Sequence, residues 1–74
     1  MILERLKEIF VRINPEIPVE DIDESTDLSL DLGLDSVSML MLSYEIEMEF
    51  GFYFEPPISF RTVGDVCDYI EKHI

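Results

Sequence analysis

A chain of 74 residues, 47% of them hydrophobic, is one small domain's worth of sequence, near the lower limit for a core without metals or disulfides. Its lone Cys67 excludes an internal disulfide framework and fits a reducing compartment. All five basic residues (Arg5, Lys7, Arg12, Arg61, Lys72) lie near the ends, matched there by five acids, so the formal charge of −12 belongs to the stretch from Ile13 to Phe60. That argues against nucleic acid, which needs clustered Lys and Arg, and for a basic protein surface as the complement. No basic-then-apolar leader opens the sequence, and no apolar run approaches the ~20 residues of a membrane span. The expectation is a soluble, cytoplasmic protein that is not a membrane protein.

Ile2, Leu3, Leu6, Ile9, Phe10 and Ile13 recur at three- and four-residue intervals, which predicts an amphipathic helix from about Ile2 to Ile13. Asn14-Pro15 stops it, and it reads as scaffold. Asn14 to Asp35 is a long acidic connection in which Ile17, Val19, Ile22, Leu28, Leu30, Leu32 and Leu34 are expected to anchor the loop to the helices, with a short turn at Val19–Ile22. Asp21-x-Asp23-x-Ser25 imitates the opening of a calcium loop. Thr26 then stands where the sharp turn needs Gly, and Leu32 where the bidentate Glu belongs, so no dedicated metal site is expected.

From Ser36 to Phe50 there is no Gly or Pro, and the composition predicts a helix with Asp35 as N-cap and Gly33 loosening the approach. Unpaired N–H groups and the helix dipole favour negative charge there, phosphate above all, and a serine hydroxyl at that point can accept a phosphate ester. At ~100° per residue, Met39, Leu42, Ser43, Ile46 and Phe50 share one face, assigned to the core. Val37, Leu40, Met41, Tyr44 and Met48 share a second, roughly opposite. Either the last helix and tail cover that second stripe or it is an exposed partner surface; the competing reading makes Met41 and Met48 core fillers.

Gly51 ends this helix as a C′ residue. Phe52-Tyr53-Phe54 is read as an extended link packed across the core, and stacking on bases is disfavoured because no Lys or Arg lies nearby before Arg61. Thr62 and Asp65 form a capping-box-like pair at the start of the last helix, whose apolar stripe is Val63, Val66, Cys67, Ile70 and Ile74. Cys67 is expected to be a buried, inert hydrophobe, and His73 suits a helix C-terminus. One His and one Cys supply neither a zinc site nor a Cys-His nucleophile. Gly33–Val37 is not a G-x-S-x-G elbow, so no catalytic residues are assigned.

Asp31-Leu32-Gly33-Leu34-Asp35-Ser36-Val37 resembles the D-L-G-x-D-S-L signature of the acyl carrier protein family, departing only in Val37. Thr62, Val63, Tyr69 and Ile70 resemble the ending of that family's last helix. The resemblance covers nearly the whole chain and implies a single acyl carrier domain over residues 1–74. It implies an all-α fold, a small acyl-carrier-protein-like helical bundle of three main, antiparallel-leaning helices. The family's short third helix is expected to be reduced to about one turn or absent, given Pro56-Pro57. In the family the acyl chain lies between the second and third helices, so this departure would reshape or shrink the pocket.

The same resemblance implies a carrier, not an enzyme. A phosphopantetheinyl transferase would move 4′-phosphopantetheine from coenzyme A onto Ser36, with Asp35 aiding recognition. Acyl intermediates would then ride as thioesters in fatty-acid, polyketide or related specialised lipid biosynthesis. Val37, Leu40, Met41, Tyr44, Glu47 and Met48 match the face on which the family's acyl-transferring and synthase enzymes dock through basic patches. Met41 and Met48 stand where Glu is usual, so this face should rely more on burial and less on charge. A monomer is expected. Two alternatives stay open: a carrier-fold binding module that is never modified, and an aminoacyl or peptidyl carrier.

Overall fold

The apolar spacing of the first segment produces helix α1, Ile2–Ile13, with Leu6, Ile9 and Phe10 wholly buried. The structure, a computed structural model, describes residues 2–55 and 59–74. Helices α2 (Ser36–Phe50) and α3 (Val63–His73) complete the described helical set, with one 3₁₀ turn at Val19–Asp21 and no strand among the described residues. The fold is all-α, as expected, with α1 packing on both α2 and α3. The core combines the three buried α1 residues with Leu42 and Ile46 of α2 and with Val63, Val66, Cys67 and Ile70 of α3. Each such side chain contributes roughly 1.5–3 kcal/mol on burial. Beside this, the exposed pairs Arg5–Glu49 (3.1 Å) and Arg12–Glu45 (3.1 Å), which join α1 to α2, add little.

The long connection is held in two ways. Ile17, Ile22, Leu28 and Leu34 are buried in the core, and its backbone pairs with the approach to α3. Leu28 N–H donates to Arg61 O (2.8 Å), Val63 N–H to Thr26 O (2.9 Å) and Gly64 N–H to Glu24 O (2.8 Å). A Cβ on Gly64 would lie 2.8 Å from Glu24 O, so only glycine permits this approach. The carboxylates that imitate a calcium loop bind backbone instead. Asp23 Oδ1 accepts from Ser25 N–H (2.9 Å), and Asp27 Oδ1 accepts from Ser29 N–H (2.9 Å) and Leu30 N–H (2.7 Å). Thr26, a buried polar residue, accepts from Asp23 N–H through Oγ1 (2.9 Å).

Two expected core residues point to water. Leu30 is 85% exposed, at the tip of the turn that Asp27 organises, and Ile74 lies beyond the last turn of α3 and is exposed. Val19 and Leu32 are half-buried against the core. After Gly51, which closes α2 with its N–H on Glu47 O (2.9 Å), the chain runs extended. Phe52 and Phe54 turn inward while Tyr53 is exposed, the alternation of an extended strip. Residues 52–55 and 59–61 are not helical. The remainder of the expected short turn, including Pro56-Pro57, falls on residues 56–58, outside the described residues.

Candidate functional site

Leu34, buried, pins the chain two residues before Ser36, and its N–H donates to Leu28 O (3.1 Å). Gly33 takes φ 68°, a left-handed turn that strains any other residue and redirects the loop into α2. Asp35 then caps the helix, its Oδ1 accepting Ser38 N–H at 2.8 Å. That bond, above all, holds the Asp35 carboxyl below the ordinary aspartate range. Ser36 is the first helical residue and is exposed, so its hydroxyl meets solvent at the positive end of the α2 dipole.

Two concavities flank α2. One, of about 380 Å³, begins at Ser36 and runs past Met39, Leu42 and Ile46 to Phe54, Phe60 and Val66. The other, of about 600 Å³, lies toward the end of α1 and is bordered by Arg12, Leu40, Met41, Tyr44 and Glu47. Val37, Leu40, Met41, Tyr44 and Met48 are 47–71% exposed, so neither methionine is a core filler and nothing in the chain's described residues covers this stripe. Glu47 is half-buried, and its Oε2 accepts Phe54 N–H at 2.9 Å. Tyr69 Oη accepts the next amide, Glu55 N–H, at 3.0 Å. No sequence period links Glu47 to Phe54 across Gly51, so this clamp had no signal in the sequence beyond an acid placed before a helix end.

The link packs into an aromatic cluster. Phe54 lies 5.0 Å from Tyr69 and 5.8 Å from Phe60, and Phe52 lies 5.2 Å from Phe54. His73 stacks on Tyr69 at 4.2 Å with Nδ1 2.8 Å from Tyr69 O. A carbonyl only accepts, so this nitrogen carries the hydrogen. Cys67 is buried, and burial, reinforced by Glu24, Asp68 and Glu71, pushes its thiol up to about 11. It stays protonated and inert near neutral pH. Among the described residues no group of three His, Cys, Asp or Glu side chains could hold a metal ion, and no helix is long and apolar enough to cross a membrane.

An exposed serine at a capped helix start, with an apolar groove leading away from it, suits a tethered group that is partly sheltered and partly presented. That is the architecture of a carrier. A family model described as "Phosphopantetheine attachment site" matches residues 4–70. The chain is 36% identical over 75 residues to the acyl carrier protein of Coprothermobacter proteolyticus, covering 99% of this chain and 90% of that one. It is also 36% identical over 76 residues to that of Phytoplasma australiense, covering 100% and 99%. An acyl carrier protein of Rickettsia bellii matches at 37% over 57 residues, 74% of this chain and 66% of that one.

The chain belongs to the acyl carrier protein family. It is a carrier, not an enzyme, and the family's cofactor is 4′-phosphopantetheine, held covalently. The residues present fit that group: an exposed hydroxyl to esterify and an apolar groove that starts at the same residue.

Proposed function

We propose that Ser36 Oγ is the attachment point for 4′-phosphopantetheine and that residues 1–74 act as one acyl carrier domain. The observation that carries this reading is the exposed Ser36 at the Asp35-capped start of α2, with the groove opening beside it. In the loading step Ser36 Oγ bonds to the pantetheine-side phosphorus of coenzyme A, and that phosphorus loses its bond to the bridging oxygen. Adenosine 3′,5′-bisphosphate leaves. Asp35, engaged by Ser38 N–H and held below its ordinary range, is a poor base, so the hydroxyl proton departs to the transferase. Once bound, the arm supplies a terminal thiol on which an acyl group is carried as a thioester. Cys67, buried and protonated, does not compete for that acyl group.

Val37, Leu40, Met41, Tyr44 and Met48, with Glu47 at the edge, form the docking face for partner enzymes in this reading. Its apolar centre favours burial, and the surrounding negative charge favours enzymes with a basic rim around an apolar patch. The transferase and acyl-handling enzymes of fatty-acid, polyketide or related lipid synthesis have the required chemistry, and a cytoplasmic carrier working as a monomer follows from the same reading. The test is loading: coenzyme A and a phosphopantetheinyl transferase should add one phosphopantetheine to the wild type and none to Ser36→Ala. Absence of the increment from the wild type would favour an unmodified binding module.

A further inference from the structure

The link after α2 is clamped at two successive amides from two different helices. Glu47 of α2 accepts Phe54 N–H (2.9 Å), and Tyr69 of α3 accepts Glu55 N–H (3.0 Å). Between these clamps the Phe54 ring turns inward and becomes part of the wall of the groove that begins at Ser36, with Ile46 and Leu42 on the α2 side. It is braced there by Phe60 and Tyr69 at 5.8 and 5.0 Å.

Glu47 differs from the acids beside it on α2. All three are half-buried, but Glu45 and Glu49 pair with Arg12 and Arg5, whereas the Glu47 carboxylate is directed to a backbone amide. A charge-assisted bond of this kind is stronger than a neutral one, and without it the Phe54 N–H loses its partner. The side chain therefore does something that a rim charge on a docking face would not.

We infer that Glu47 is a positioning residue: its carboxylate holds Phe54 as the wall of the Ser36 groove and so governs how well an apolar acyl chain is sheltered there. This rests on the proposed carrier role of Ser36. Carboxylate and amide share one useful property, a carbonyl-type acceptor, and differ in charge. Glu47→Gln keeps the acceptor, whereas Glu47→Ala removes both acceptor and charge. A docking charge would make the two variants alike; a positioning acceptor separates them.

The first arm uses the unmodified protein and amide hydrogen exchange. In Glu47→Ala the Phe54 amide should exchange about tenfold faster or more, in keeping with loss of one hydrogen bond to a charged group, while the amides of α1 keep their protection. Glu47→Gln, which keeps a neutral acceptor, should fall between the two and nearer to wild type. The second arm loads octanoyl-phosphopantetheine from octanoyl-coenzyme A, verifies it by intact mass, and follows release of the octanoyl group by hydroxylamine. Release should be several-fold faster from Glu47→Ala than from wild type, with Glu47→Gln restoring most of the protection. Unchanged Phe54 exchange in Glu47→Ala would overturn the inference. So would unchanged octanoyl release despite faster exchange, or a Gln variant that behaves as the Ala variant does. Failure to load the wild type would instead overturn the carrier role, and the exchange arm, which needs no modification, is read separately from it.

Discussion

Leu34 in the core and the Asp35 carboxylate on Ser38 N–H fix the backbone on either side of the Ser36 hydroxyl, which is left to solvent. Asp35, Asp23 and Asp65 each accept backbone N–H groups, and each is held below the ordinary aspartate range chiefly by hydrogen bonds: Ser38 for Asp35, Ser25 for Asp23, and the Arg61 amide for Asp65. A depressed folded value means a contribution that is fully present above the ordinary range and is lost as pH falls through the lowered value. Gly64 is the residue whose replacement should be felt most directly. Ala there sets a Cβ against the Glu24 carbonyl, and because backbone cannot swing aside as a side chain can, Gly64→Ala should cost about 1–3 kcal/mol. Urea denaturation checks this, with a change under 0.5 kcal/mol contradicting it. Neither the Gly64 contact nor the Glu47–Phe54 bond is readable from periodicity, because each joins segments that no local pattern relates. The Asp35 cap and the Thr62–Asp65 capping box were legible, because a cap is a local device with its residue types at fixed offsets.

At the level of elements, α2 carries the argument. Its two apolar stripes are separated by environment: Leu42 and Ile46 are buried, while Leu40, Tyr44 and Met48 are mostly exposed. Ile46→Ala should therefore cost about 2–5 kcal/mol by cavity formation. Leu40→Ser and Tyr44→Ser should stay within about 0.5 kcal/mol of wild type, as exposed positions do, while weakening capture by a partner enzyme. Denaturant melts alongside partner-binding assays would separate the two stripes. Equal stability losses on both faces would contradict the assignment. The helix limits and the core face of α2 followed from the 3.6-residue period, and so did the existence of the second stripe. Whether that stripe was covered did not, because periodicity reports sides of a helix and not what lies against them. Leu30 and Ile74 went astray for the same reason: an apolar residue in a turn or past a helix end has no period to place it.

For the whole molecule, a charge of −12 on 74 residues gives strong self-repulsion that the described Arg–Glu pairs on one flank of α2 relieve only locally. Raising sodium chloride toward physiological strength, where the screening length is about 8 Å, should therefore raise the melting temperature near neutral pH. A flat or falling salt response would mean that specific ion pairs outweigh the repulsion. Mild acidification should stabilise for the same reason, until the loop residue Asp23 and the capping residues Asp35 and Asp65 begin to protonate below the ordinary range and their contributions are lost. In the proposed reading the same negative field that limits stability also favours an enzyme with a basic rim, and the central claim is what such an enzyme would act on. The most direct measurement is the intact mass of wild type and Ser36→Ala after incubation with coenzyme A, magnesium and a phosphopantetheinyl transferase, followed by peptide mapping. The account predicts one phosphopantetheine on the wild type, located on Ser36, and none on the variant. An unmodified wild type, or an increment on Ser38 or Ser43 that survives in Ser36→Ala, would contradict it.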